Sequence, residues 1–198
     1  MISGICNLLD RFDRRYTLAI FVLFLGLFSL YKSGLLHTQN SKTVKMTLIK
    51  QNGRIKTILT PIKTKYKRTY LIDEITFPKG SELYHKRLGK LGARSNFFIK
   101  FKTVTNILTE GTYKFIIASD DGFRLKIDNK TICSYIKDRP LKKSICPIHL
   151  TKGKHNIYLL YFQGFGQLGL LTRVETPSGY ADPIGKSNSD MEFLLSKL

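Results

Sequence analysis

The feature that most limits what this chain can become is a period-two alternation running through its second half. Phe97, Ile99 and Phe101 alternate with Lys100 and Lys102, Tyr113, Phe115 and Ile117 form a second such run, and Phe123, Leu125 and Ile127 alternate with Arg124, Lys126 and Asp128. Successive side chains of a strand point to opposite faces, so each run builds a ribbon with one apolar face, whereas a helix would need a period of 3.6. From His155 to Phe162 the residues are almost wholly apolar after the first two, as in a strand buried on both faces, and Leu168 to Thr176 continues in extended character. Asp120-Asp121-Gly122 separates two of the runs, and Asp128-Asn129 marks a tight turn. The pattern predicts an all-β, antiparallel sandwich or barrel. The end of the chain reads differently. Ser189-Asp190-Met191-Glu192 has capping-box spacing before Phe193-Leu194-Leu195, which predicts a short C-terminal helix.

Ahead of the strands, Tyr16 to Tyr31 carries no charge. As a helix this run reaches about 24 Å, short of the ~30 Å hydrocarbon layer, and extension to Leu36 closes the gap if Lys32 snorkels. Arg11, Arg14 and Arg15 precede it and Lys32 alone follows before Lys42, so the positive-inside rule keeps the N-terminus in the cytoplasm and exports the rest. No small-residue cleavage site follows, which favours an uncleaved anchor over a signal peptide. The expected layout is a cytoplasmic tail over 1–15, a transmembrane anchor over 16–36, a tether over 37–44, the β domain over 45–185 and a helical tail over 186–198. Cys6 lies before the apolar run and reads as an idle thiol. Composition rich in Lys, Ile, Phe and Asn points to a bacterium, hence to an inner-membrane protein with a periplasmic domain.

The net charge is +19, and residues 42–102 hold sixteen Lys and Arg against three acids. Such a field attracts anionic lipid, anionic envelope polymers or an acidic protein, or serves solubility alone, and export sets nucleic acid aside as a partner. Cys133 and Cys146 flank a basic loop. They form a disulfide if the flanking strands are neighbours in an oxidising compartment, and are otherwise two buried thiols. Catalytic signatures are missing: there is no Gly-x-Ser-x-Gly, His-Glu-x-x-His, Cys-x-x-Cys or Gly-Lys-Ser/Thr loop, and His37, His85, His149 and His155 have no metal spacing. The residues therefore predict a protein that is not an enzyme.

One family shares these residues in order. Phe97-Phe98-Ile99-Lys100-Phe101, Glu110-Gly111-Thr112-Tyr113-Lys114-Phe115, Ser119-Asp120-Asp121-Gly122 running into a strand that ends at Ile127-Asp128, Lys152-Gly153-Lys154-His155, and Tyr161-Phe162-Gln163-Gly164-Phe165-Gly166 resemble the protective-antigen-type (PA-fourteen) β-barrel family. The resemblance is clear over residues 95–180 and weak over 45–94. It implies a carbohydrate- or surface-binding module. In flocculin-like relatives, two consecutive aspartates joined by a cis peptide bind calcium, which holds a sugar diol. Asp120 and Asp121 match that pair, Gly122 and Gly164 belong to the same two loops, and Gln163 stands where the relatives carry an Asn ligand. Calcium seeks six to eight oxygens, and the short loop offers few beyond these. The alternative for Asp120 and Asp121 is structural: both bond turn N–H groups while Gly122 takes a positive φ.

Two functions follow as expectations. One is a membrane-anchored, non-enzymatic module that recognises a glycan or anionic envelope surface. The other is a scaffold subunit of a large envelope assembly, such as a motor or secretion complex, that docks through its β domain.

Overall fold

The structure is a computed structural model that describes residues 14–32 and 42–195. It falls into two units, residues 1–40 and 41–198. The tail before residue 14, Cys6 within it, and most of the expected tether lie outside the described residues.

The first unit holds α1 (Arg14–Lys32), 19 residues long. Its charged ends leave the sixteen-residue run as the only apolar part. Among the described residues no helix is long and apolar enough to cross a membrane. The anchor expected over 16–36 is thus met only as a helix ending at Lys32, and residues 33–36 lie outside the described residues. From Ile20 to Leu25 every side chain is at least 49% exposed.

The second unit is built of strands, in chain order β1 (Val44–Gln51), β2 (Thr64–Ile72), β3 (Thr76–Gly80), β4 (Tyr84–His85), β5 (Gly89–Lys90), β6 (Phe97–Ile107), β7 (Gly111–Asp120), β8 (Phe123–Ile127), β9 (Lys130–Tyr135), β10 (Lys142–Leu150), β11 (Gly153–Gln163), β12 (Leu168–Glu175), β13 (Ala181–Asp182) and β14 (Met191–Leu194). A seven-stranded sheet runs β2-β1-β6-β11-β8-β9 with β14 also on β6, and a five-stranded sheet runs β10-β7-β12-β13 with β3 also on β12. Every pairing is antiparallel. The two outer strands of the larger sheet, β2 and β9, do not pair with each other, so this unit is a sandwich and the barrel alternative is set aside.

The core follows the alternation. Phe97, Ile99 and Phe101 of β6 meet Tyr113, Phe115 and Ile117 of β7 and Phe123, Leu125 and Ile127 of β8 in one cluster, each at most 2% exposed. A second cluster lies on the outer face of the larger sheet, where Ile55 and Ile58 of the β1–β2 loop cover Ile49, Phe98, Leu160 and Phe162. That loop is why the far end of β11 is apolar on both faces. It is fixed by the Ile58 N–H on the Ile136 carbonyl (2.9 Å) and by the Gln51 side chain bridging the Lys63 N–H and the Pro61 carbonyl (both 2.9 Å).

The expected terminal helix is a strand. β14 continues the edge of β6 beyond the stretch taken by β1, pairing Met191–Leu194 with Ile107–Val104, and buries Met191 and Phe193. Alternate burial of these two residues on an open edge outweighs a local capping signal worth about 1 kcal/mol. Asp190, inside the expected capping box, bonds the Ser178 N–H (3.0 Å) and hydroxyl (2.8 Å) instead.

Cys133 on β9 and Cys146 on β10 are joined by a disulfide with Cα atoms 5.8 Å apart. β9 and β10 are edge strands of different sheets, so the bond ties the sandwich layers together along one side. For a loop closed over 13 residues, chain entropy puts its contribution at about 3 kcal/mol.

Candidate functional site

Asp120-Asp121-Gly122 is the crossing from one sheet to the other: β7 belongs to the five-stranded sheet and β8 to the seven-stranded one. The peptide bond between Asp120 and Asp121 is cis. Gly122 does not take a positive φ, contrary to the turn reading. Its role is close approach, because a Cβ there would collide with the Tyr135 carbonyl oxygen and lie 2.6 Å from Phe162 Cε1 and 2.9 Å from the Lys137 carbonyl oxygen.

Asp121 is 4% exposed. Its Oδ2 accepts the Gly164 N–H (2.7 Å) and its Oδ1 accepts the Arg139 N–H (3.3 Å), so the carboxylate ties the crossing to the β11–β12 loop and to the β9–β10 loop. Burial pushes its pKa up to about 6; the Gly164 and Arg139 N–H groups oppose that rise, while the neighbouring Asp120 and Asp138 charges add to it. Burial also raises the Asp120 carboxyl, against the pull of the Lys79 charge and the Leu141 N–H. The Tyr161 hydroxyl bonds the Asp120 carbonyl and lies 2.7 Å from Gln163 Oε1.

Gln163 is fully buried rather than turned outward. Its amide nitrogen donates to the carbonyls of Gln167 (2.9 Å) and Phe165 (3.3 Å), and its oxygen faces Tyr161, so the side chain braces its own loop from within. Gly164 sits where a Cβ would press on the Ile55 carbonyl at 3.0 Å and on Asp121 Oδ2 at 3.3 Å.

Above Asp121 opens a cleft of about 390 Å³. Arg54, Ile55 and Lys56 of the β1–β2 loop form one wall, Gly164 and Phe165 the other, with Asp121 and Asp138 between. Phe165 is 74% exposed, the most exposed large apolar residue among those described. Asn96 holds the two walls together: its N–H donates to the Gly164 carbonyl (2.8 Å) and its Oδ1 accepts the Ile55 N–H (3.0 Å). The left-handed φ of 48° at Asn96 suits an Asn better than most residues. Arg139 stacks against the Tyr135 ring (4.3 Å) and the Phe123 ring (5.5 Å) and donates to the Ser119 carbonyl, the Ser119 hydroxyl and the Ser144 hydroxyl, which fixes the N–H it offers Asp121.

Asp120, Asp121, Gly122 and Gly164, all named from the sequence, are gathered here by the structure. Arg54, Lys56, Asn96, Arg139 and Phe165 were missed. For Phe165 a signal existed, since an aromatic residue between two glycines has nothing beside it to bury against.

The side chains named from the sequence do not by themselves complete a calcium shell. A hard cation needs six to eight oxygens. Here Asp120 lies under the Lys79 charge and the Gln163 amide is spent on its own loop, so few of the oxygens named from the sequence are left for a cation. Among the described residues no three His, Cys, Asp or Glu side chains are placed to hold a metal. The arrangement can instead accept hydroxyl groups: each oxygen of an ionised carboxylate has a second lone pair, and those of Asp121 are oriented by backbone.

No family model and no curated protein matches the chain. Among solved structures, the PA14 domain of the MpAFP antifreeze protein superposes with a TM-score of 0.61 at 12% identity, over 79% of this chain and 92% of its own. The PA14 sugar-binding domain of an RTX adhesin gives 0.57 at 16% identity, over 72% and 94%. The epithelial adhesin 9 A domain from Candida glabrata, in complex with Galβ1-3GlcNAc, gives 0.54 at 11% identity, over 78% and 90%.

Proposed function

We propose that this chain, whose fold is of the PA14 type, is a non-enzymatic glycan-binding module that takes a saccharide into the cleft above Asp121. The observation that carries the reading is a buried carboxylate, oriented by the Gly164 and Arg139 N–H groups, at the base of an open cleft with an exposed aromatic ring on its rim. Sugars present vicinal hydroxyls on one edge and C–H groups on a face. A carboxylate accepts the first, and an aromatic ring covers the second. The structural neighbours include a sugar-binding domain of an adhesin and an adhesin domain in complex with a disaccharide, which supports the same use of this fold. Recognition runs through direct hydrogen bonds and needs no calcium.

In this reading the module is exported and tethered to a bacterial inner membrane. The apolar exposed surface of α1 supports lipid attachment, and the Cys133–Cys146 bridge supports an oxidising compartment. Arg54 and Lys56 on the rim suit glycans of an anionic envelope.

The test is a glycan array probed with the full chain in detergent, in calcium and again in chelator. Binding of a defined glycan set is expected, unchanged by chelator, and Phe165→Ala should weaken it about tenfold through loss of the ring contact, worth about 1–1.5 kcal/mol. An array without hits removes the reading, and hits that vanish with chelator replace direct recognition by metal-mediated recognition.

A further inference from the structure

The outer face of the seven-stranded sheet carries a second feature, away from the cleft. Where the β1–β2 loop stops covering that face, a depression of about 590 Å³ opens over Tyr158, lined also by Lys102, Lys126, Asn129 and Asn156. Register explains its make-up. Tyr158 of β11 stands directly opposite Lys102 of β6 on one side and Lys126 of β8 on the other, so both lysines share its face, and the Arg124 charge also reaches its hydroxyl. Asn156 is two residues back on the same face, and Asn129 projects from the β8–β9 turn, where Asp128 and Asn129 both take positive φ (47° and 67°). Tyr158 is five residues from Gln163, about 17 Å along the strand, so the depression and the cleft are separate places.

The charge around Tyr158 is one-sided. In the next rows Lys100 and Arg124 face each other across Leu160, and Lys45 of β1 stands opposite Lys102. Five cations therefore lie within two strand spacings, about 10 Å, of the ring. None of the five is ion-paired to a described residue. Among the described residues no acid lines the depression. Asp128, the acid adjoining it in sequence, is held by His155 Nδ1 (2.6 Å), by the Asn156 N–H (2.8 Å) and by the Asn156 side-chain amide.

We propose that this depression is a binding site for an acidic saccharide, one whose sugar ring lies on Tyr158, whose carboxylate or sulfate meets Lys102 and Lys126, and whose hydroxyls bond the Asn129 amide and the Asn156 side-chain oxygen. The residue types select that ligand over other anions. The oxygens of two carboxamides accept from hydroxyls, a contact that an anion offering only acceptor oxygens does not use. A single half-buried ring gives no ladder on which successive bases stack, as single-stranded nucleic acid requires. Unpaired lysines of a surface sheet supply charge without the desolvation that buried pairs incur.

The experiment titrates the full chain, in detergent micelles at 50 mM and 300 mM salt, with a heparin-derived tetrasaccharide and with the neutral maltotetraose. The tetrasaccharide is expected to bind, more weakly at high salt, and maltotetraose not to compete with it. Lys102→Gln with Lys126→Gln should weaken binding at least tenfold. The charge-matched pair Lys86→Gln with Lys90→Gln, both exposed on the β4–β5 hairpin, should stay within twofold. Equal losses in both lysine pairs would mean a diffuse field and overturn the site. Full binding in the Lys102→Gln with Lys126→Gln protein would move the saccharide elsewhere, and absence of binding would also end the proposal. A failed cleft with an intact tetrasaccharide response leaves this site standing, so the two outcomes are distinguishable.

Discussion

Gly122→Ala is expected to be among the most damaging single methyl additions this fold can receive. The added carbon would collide with the Tyr135 carbonyl oxygen, lie 2.6 Å from Phe162 Cε1 and 2.9 Å from the Lys137 carbonyl oxygen. Two of these three are backbone atoms at or just beyond the end of β9, and β9 is tied through Cys133 to the opposite sheet, so the neighbours cannot retreat cheaply. Overpacking of this kind costs about 1–3 kcal/mol where side chains can yield, and backbone contact places the expected loss at about 3 kcal/mol or more. For a domain of this size that lowers Tm by about 6–12 °C. Gly80→Ala is the control: its added carbon meets only the Glu82 carbonyl at 3.7 Å, and it should shift stability by no more than about 0.5 kcal/mol. Thermal or denaturant unfolding checks both. A Gly122→Ala protein as stable as the wild type would mean that the crossing packs less tightly than described.

Asp121→Asn is expected to separate stability from binding. The folded-state pKa of Asp121, about 6, lies above the ~3.9 of an unfolded Asp. Between those values the folded chain holds a proton that the unfolded chain has released, so this residue makes stability fall as pH rises from about 4 to about 6 and contributes no further slope above that. Asn cannot ionise, and the variant should lose that part of the slope in denaturant midpoints taken at pH 4, 5, 6 and 7. Glycan affinity should move the other way. In the wild type it rises as the carboxylate forms through pH 6. In Asp121→Asn it is reduced about 30-fold at pH 7, the equivalent of about 2 kcal/mol for a lost charge-assisted hydrogen bond, and shows no rise. An unchanged pH slope would place the titrating group elsewhere, and full affinity in the variant would remove Asp121 from the site.

The strands were legible because alternation is a local property. Phe97, Ile99 and Phe101 must share a face whatever their partners, and they share the core with Tyr113 and Phe123 as the pattern requires. What escaped was set by partners distant in sequence. Met191-Glu192-Phe193 carries a helix-start signal, yet the free edge of β6 beyond β1, more than eighty residues away, decides its conformation. The doubly apolar end of β11 is legible, but not that Ile55 and Ile58 of a polar-looking loop supply the second cover. The Asp120-Asp121-Gly122 motif was visible as a special place and misjudged in detail, since a hairpin turn and a crossing between sheets use the same residue types. Gln163 illustrates the limit at side-chain level: a polar residue beside a loop reads as a ligand, and only Tyr161 and the Gln167 carbonyl reveal that it faces inward.

A sugar held in the cleft above Asp121 must be felt by the backbone amide of Gly164, whose hydrogen bond to Asp121 Oδ2 senses any ligand on that carboxylate. With the isotope-labelled chain titrated by an array-positive glycan at pH 7, the Gly164 amide resonance should shift and saturate with the same dissociation constant as overall binding. A Gly164 resonance that stays fixed while the glycan saturates the protein would contradict the central claim.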